Sequence, residues 1–333
     1  MRVVVADPPA FTPPYDHELA AALARAGADV DLVTSRFRFG EAPLPAGYRR
    51  RELFYPLSSR LFRRSRLRLP LKVLEHPLGM ARLAAAAADV VHLQWLGLPE
   101  ADRWLLRSRA PLVLTAHDLL PRRTARKQEL WRRLFRRFER IVVHSERGRE
   151  TLAALGVPDG KLRVIPHPVS PGEVAHRDDG RTVLALGLVR PYKQLDQARE
   201  AVARVEGASL RIAGDATAFL PETEIDRALA ESTLAVFPYR AEIDQSGALL
   251  RALGAGVPAV VYDVGGLAEP VGRFGAGRVV APDDVDGLAA AIRELLDDEG
   301  ALARAREGAL RAREELTWDA SARAHLELYR ELR

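Results

Sequence analysis

Residues 183–193 read Val-Leu-Ala-Leu-Gly-Leu-Val-Arg-Pro-Tyr-Lys. Four apolar residues with no polar alternation fit a strand covered on both faces, and Gly187 fits a turn at its carboxyl end. The turn leads to two cations, Arg190 and Lys193, at what reads as a helix entrance. Moving outward, the same unit recurs. Apolar runs at Leu210–Ala213, Leu234–Phe237, Ala259–Tyr262 and Arg278–Val280 follow it, and Val3–Ala6, Val30–Thr34, Val90–Leu93, Leu112–Ala116, Ile141–His144 and Val164–Pro166 precede it. Helical stretches fit between them, among them His17–Ala26, Glu100–Ser108, Lys127–Glu139 and Glu146–Leu155. This alternation predicts α/β architecture with parallel sheets.

The run Pro166-His167-Pro168-Val169-Ser170-Pro171-Gly172 can continue neither a helix nor a central strand, so it separates two doubly wound, Rossmann-like domains. The expected boundaries are 1–168, a linker at 169–180, and 181–316. A terminal segment, 317–333, has a helix but no strand and is expected to pack back on the first domain. Ligands of such sheets bind beyond the carboxyl ends of the strands, and the expected site is a cleft which the two domains face.

The 333 residues suffice for two cores, and 47% hydrophobic with 29% charged residues describes a globular chain. Having no cysteine, the protein forms no disulfide, thiolate zinc site or cysteine nucleophile. The apolar start, Met1–Ala6, is too short for a signal-peptide core and no stretch spans a bilayer, so a cytoplasmic location is expected. Net charge is only +5, yet Arg49–Lys72 and Arg122–Arg140 each hold nine Lys or Arg. Such tracts suit an anionic partner. The plainer reading of Lys127–Arg140 is a packed helix with a solvated basic face. The sharper one is a peripheral membrane patch at the inner face, with Arg60–Arg68 as its tip, and hence a lipid-linked or anionic acceptor. No helix-turn-helix, zinc or stacking signature accompanies the arginines, so no nucleic acid is expected.

Arg190 and Lys193, with backbone N–H groups nearby, suit a diphosphate; solvated surface cations are the plainer alternative. After Leu234–Phe237, Asp244-Gln245-Ser246-Gly247 opens the helix Ala248–Gly254, where Ser246 and Gly247 would offer a hydroxyl and amides to phosphate oxygens. Ordinary capping by Asp244 or Ser246 is the alternative there. Asp263-Val264-Gly265-Gly266-Leu267-Ala268-Glu269 is a third loop after a strand.

These three loops, in this order, resemble the donor domain of GT-B glycosyltransferases, most closely the retaining family 4. Leu112–Pro121, Val143–Glu146, Val164–Pro168 and Thr317–Asp319 resemble further segments of that family, so the likeness covers nearly the whole chain. The resemblance implies transfer of a sugar from a nucleotide-diphosphate donor to an acceptor it does not name. Arg190 and Lys193 would neutralise the leaving diphosphate, with no metal and no other cofactor. Ser246 and Gly247, with Asp244 and Gln245 beside them, would bind the same group, and Gly265, Gly266 and Glu269 would lie near the donor sugar. His117 would face the anomeric carbon, with Asp118 on the acceptor side. Three departures leave a second reading, a catalytically degenerate GT-B scaffold acting as a binding or partner subunit. Ile243 and Arg251 stand where relatives carry two glutamates, Glu242 or Asp244 being a stand-in for the first. Asp7–Tyr15 is proline-rich where a glycine pair is expected, and 215–234 is short where relatives add a helix and a strand. The Asp29–Asp31 and Asp284–Asp286 pairs read as a strand entrance and a helix cap, not as metal ligands.

Overall fold

The computed structural model describes residues 1–38, 41–61, 65–121, 123–169, 172, 174–215, 220–241 and 243–333. The chain forms two compact units, Met1–Pro166 with Trp318–Arg333, and His167–Thr317. In chain order the first contains β1 (Arg2–Asp7), α1 (Pro13–Arg25), β2 (Asp29–Ser35), β3 (Arg49–Phe54), α2 (Arg68–Ala84), β4 (Val90–Leu93), α3 (Pro99–Leu105), β5 (Leu112–Thr115), α4 (Gln128–Phe135), β6 (Arg140–Val143), α5 (Glu146–Ala154) and β7 (Leu162–Val164). The second contains β8 (Thr182–Leu186), α6 (Leu195–Ala203), β9 (Ser209–Ala213), α7 (Glu222–Ala230), β10 (Leu234–Phe237), α8 (Gly247–Gly254), β11 (Ala259–Tyr262), α9 (Ala268–Phe274), β12 (Gly277–Val280), α10 (Val285–Asp297) and α11 (Glu299–Glu315). The last helix, α12 (Trp318–Arg330), belongs to the first unit.

Among the described residues the sheets run β3-β2-β1-β4-β5-β6-β7 and β12-β11-β10-β8-β9, and every strand pair is parallel. The α/β, doubly wound expectation holds. The strands are the apolar runs of the sequence because both faces are covered: Val3, Val5, Val90, Val183 and Val260 are fully buried. Each such side chain contributes roughly 1.5–3 kcal/mol relative to exposure.

Four features depart from expectation. β3 reads Arg-Arg-Arg-Glu-Leu-Phe and lay hidden in the first basic tract. It is an edge strand, where charge blocks further pairing, and Arg49 and Arg51 meet Asp31 of β2 at 2.7 and 3.6 Å. α1 begins at Pro13, four residues early, since proline fits a first helical turn that needs no N–H from it. α4 stops at Phe135, and Phe138 and Ile141 reach the core from the following turn and from β6. Finally, the short stretch between β9 and β10 does hold a helix, α7, and no strand among its described residues.

α12 packs on α1 and contributes Trp318, Ala322, Leu326 and Tyr329 to the core beneath β1. Tyr329 Oη and His92 Nδ1 are 2.6 Å apart, and Arg25 pairs with Asp319 at 2.7 Å. No helix among the described residues is long and apolar enough to cross a membrane.

Candidate active site

An open parallel sheet offers a crevice where its strand order reverses, because successive connections leave to opposite sides there. In the second unit this point lies between β8 and β10. The loop after β8 turns at Gly187, whose φ is +91°. The loop after β9 packs against it so closely that a Cβ on Gly214 would lie 2.1 Å from the Gly187 carbonyl oxygen. The loop after β10 is tied on by Arg240 N, which donates to Tyr192 O at 2.9 Å. The two cations do not stand at a helix entrance, as the sequence suggests. Pro191–Lys193 forms one 3-10 turn, Gln194 is left-handed with φ +46°, and α6 starts only at Leu195. A left-handed residue cannot sit inside a right-handed helix, so the turn is a separate element.

That turn buries Lys193, only 5% exposed. Its Nζ donates to Leu186 O at 2.7 Å and stands 5.4 Å from the centre of the Tyr239 ring. Among the described residues no carboxylate pairs with it. Burial, and then the Arg190 charge, bring its pKa down to about 8. Arg190 is half-buried and donates to Val189 O at 3.3 Å. Tyr239 extends the cluster: Tyr192 meets it edge-on at 5.5 Å, and Ser246 Oγ lies 3.4 Å from its hydroxyl. Ser246 also caps α8, accepting from Leu249 N at 3.2 Å, so the plainer reading of this serine is realised. Asp244 is buried, Gln245 half-buried and Gly247 exposed. The loop after β11 closes on them. Gly266 N donates to Asp244 O at 2.7 Å, and Gly265, at φ +48°, has no room for a Cβ, which would lie 2.1 Å from Ile243 O. Glu269 is half-buried in the first turn of α9. The structure thus joins 190, 193, 244–247, 265 and 266 through contacts between loops, and it adds Tyr192 and Tyr239. Sequence reasoning passed over those tyrosines; the clue was their place, each one beside a strand-end loop with a cation.

The first unit reverses its order between β1 and β4. Here the proline-rich loop after β1 is organised by Asp7, whose Oδ2 accepts from Phe11 N at 2.7 Å and Thr12 N at 3.1 Å. Asp16 lies beside it in α1, and burial, then the Asp7 charge, raise its pKa well above the usual carboxylate range. Trp95, after β4, donates to Thr12 Oγ1 at 2.9 Å and meets the exposed Phe11 ring edge-on at 5.4 Å. His117, after β5, is stacked on Trp95 at 5.2 Å, touches Tyr15 edge-on at 4.6 Å, and donates from Nε2 to Gln94 Oε1 at 2.9 Å. Asp118 is exposed. His144 is buried 5.3 Å from the His117 ring and bonds Ile165 O through Nδ1, while His167 bonds Pro168 O.

Two family models match the chain, glycosyltransferase family 4 over residues 15–173 and glycosyl transferases group 1 over residues 180–298. The two models together span both units, so the chain is built as a glycosyltransferase of the family 4 and group 1 type. An exopolysaccharide phosphotransferase of Streptomyces coelicolor is 31% identical over 201 residues, 51% of this chain and 21% of that protein. A glycogen synthase of Mycobacterium tuberculosis is 39% identical over 111 residues, 33% of this chain and 27% of that protein. The matched stretches thus cover between a fifth and just over a quarter of these curated relatives. Sucrose-phosphate synthase from Thermosynechococcus elongatus superposes with a TM-score of 0.75 at 20% identity, covering 100% of this chain and 99% of the other. Anabaena HepE in complex with UDP-glucose gives 0.72 at 15% identity, with both chains fully covered. At these identities the superpositions establish the GT-B fold.

Two positions depart from the pattern that the resemblance implies. Arg251, at a position where the resemblance implies a glutamate, pairs with Asp226 of α7 at 2.9 Å and with Glu222 of the same helix. Ile243 is buried in the core, and Glu242 lies outside the described residues. The aspartate pairs stand where the sequence suggests: Asp29 opens β2, with Asp31 holding arginines, and Asp284 caps α10, accepting from Gly287 N at 2.8 Å. In the second basic tract, Lys127 meets Glu100 at 2.9 Å, Arg133 meets Glu129 at 2.8 Å, and Arg132 and Arg137 bond backbone carbonyls. That is the solvated, partnered face of the plainer reading. Of the tip proposed at Arg60–Arg68, Phe62, Arg63 and Arg64 lie outside the described residues.

Proposed function

We propose that this enzyme transfers a sugar from a nucleotide diphosphate donor to an acceptor hydroxyl, without a metal and with retention of configuration. One observation carries the reading: Lys193 is buried at the carboxyl ends of β8 and β10 with no carboxylate partner among the described residues. A buried ammonium in this state is unfavourable alone and favourable once an anion arrives. The leaving diphosphate supplies that anion. As the bond between the anomeric carbon and the phosphate oxygen breaks, negative charge grows on the diphosphate, and Lys193 and Arg190 stabilise it in place. The acceptor oxygen bonds to the same face of the anomeric carbon, and its proton passes to the departing phosphate oxygen. His117, held flat against Trp95 and bonded to Gln94, orients the sugar and acts by position. The exposed Arg60 and Arg66 of the first basic tract support an anionic or lipid-linked acceptor met at a membrane surface.

Calorimetry with UDP, GDP, TDP and ADP in EDTA tests the donor half. One of them binds the wild type, and Arg190→Ala and Lys193→Met lose it. No binding by the wild type, or binding unchanged in both variants, overturns the reading. The anomeric configuration of the product, read by NMR, tests retention. Arg251 and Ile243 favour a second reading, a scaffold that binds a nucleotide but transfers nothing. Binding without turnover across a panel of nucleotide sugars and lipid acceptors selects it.

A further inference from the structure

α2 is an amphipathic helix turned the unusual way round. Its inward face is His76, Gly79, Met80 and Leu83, and its outward stripe is Leu67, Leu74, Leu78 and Ala81. The outward leucines are 70%, 76% and 54% exposed, and Val73 and Leu69 beside them are exposed as well. Leucines at this spacing on the solvent side of a helix exceed the scattered apolar exposure normal for a protein surface.

The helix is held rigidly in that orientation. His76 donates from Nε2 to Asp102 at 2.5 Å and meets the Tyr55 hydroxyl through Nδ1 at 2.8 Å, all three being buried. Glu75 accepts from Leu57 N at 2.8 Å and Ser58 N at 3.1 Å. Gly79 leaves space that the Phe54 ring fills. Rolling α2 to hide its leucines would break all of these contacts.

Charge selects the occupant. Residues 53–88 contain seven Lys or Arg and a single acid, Glu75, whose carboxylate is turned to the backbone of 57 and 58. Arg60, Arg66 and Arg82 are exposed beside the apolar stripe. A second copy of the chain would bring like charges together around the leucines. A surface of anionic headgroups over an apolar interior complements both parts at once.

We propose that the outward face of α2 docks on an anionic lipid surface, its leucines entering the headgroup boundary and its arginines bonding lipid phosphates. This deepens the acceptor reading above, yet its test reads lipid binding alone and can fail while nucleotide binding stands.

The full chain is floated with phosphatidylcholine vesicles made with and without phosphatidylglycerol. It floats with the anionic vesicles at low salt. Leu74→Asp with Leu78→Asp abolishes this with an unchanged melting temperature, and Arg66→Gln weakens it about five-fold, the effect of one charge near such a surface. No flotation by the wild type at low salt, or flotation unchanged in the double variant, overturns the proposal. So does a dimer in sedimentation equilibrium that the same double variant dissociates.

Discussion

The two sheets reverse strand order by the same topology, yet the loops at their two reversal points carry opposite chemistry. Between β8 and β10 lie Arg190, a buried Lys193 and Ser246, with glycines that bring loops together. Between β1 and β4 lie a buried carboxylate pair, Asp7 and Asp16, and a wall of rings from Phe11, Trp95 and His117. A diphosphate placed in the first unit would meet Asp7, whose carboxylate already takes the amides of the loop. Topology offers two crevices, and electrostatics leaves one of them to an anion. The other is suited to a neutral ring with an apolar face.

Lys193→Met should break this contrast most severely. Loss of one preorganised charge at the leaving group lowers turnover by on the order of 10²- to 10³-fold. The same substitution should stabilise the protein, by about 1–3 kcal/mol, because it removes a charge that is costly to bury. Turnover on a nucleotide sugar and urea denaturation check the two together; equal turnover, or lower stability, would show that Lys193 is a structural residue.

The same lysine gives the contrast a pH signature. Its folded pKa, about 8, lies below the ordinary lysine value of 10.5. Below pH 8 both folded and unfolded forms are protonated, so the burial penalty is fully present. As pH rises from about 8 toward 10.5 the folded form sheds its proton first, and this group's contribution to stability rises. Affinity for a nucleotide diphosphate moves the other way, falling about ten-fold per unit above pH 8 as the cation is lost. Calorimetry from pH 7 to 10 in buffers of different ionisation enthalpy should also show proton uptake on binding. A flat profile in the wild type would remove Lys193 from the anion site.

On the other side of the comparison, His117→Ala should lower turnover about 10²-fold while leaving nucleotide affinity within about three-fold. Steady-state kinetics beside calorimetry separates the two. If nucleotide affinity collapses as well, His117 serves the anion and the division of labour drawn above is wrong.

What the sequence shows of this arrangement follows from what it encodes locally. Parallel strands are apolar on both faces, so Val183–Leu186 and Val90–Leu93 are visible as runs; β3, with its three arginines, sits at an edge and imitates a basic tract. α2 escapes notice because Pro70 and Pro77 interrupt it and its apolar stripe faces outward, against the pattern that marks a packed helix. At the candidate site the loops themselves are legible from glycines and cations beside strand ends. The burial of Lys193 is not, since it depends on Tyr239, which the loop after a different strand delivers. Charge density misleads for the same reason: Lys127 and Arg133 belong to a conspicuous run and pair with acids, whereas Lys193, outside any such run, is enclosed by the fold.

The smallest effect is expected at Arg251, and it bears on how far the second unit has left its relatives. Its guanidinium is engaged by Asp226 and Glu222 of α7 and binds α8 to a helix that the short 215–234 segment still provides. Since the pair is partly solvent-exposed, Arg251→Gln should cost only about 0.5–1 kcal/mol and leave nucleotide affinity within about two-fold. Arg251→Glu sets like charges together and should cost more, about 1–2 kcal/mol, again without improving binding, because α7's acids repel it. Urea denaturation and calorimetry on the two variants decide between the roles. A glutamate that tightened nucleotide binding would mean that position 251 can still reach the nucleotide, and that the bonds of the arginine to α7 hold it away.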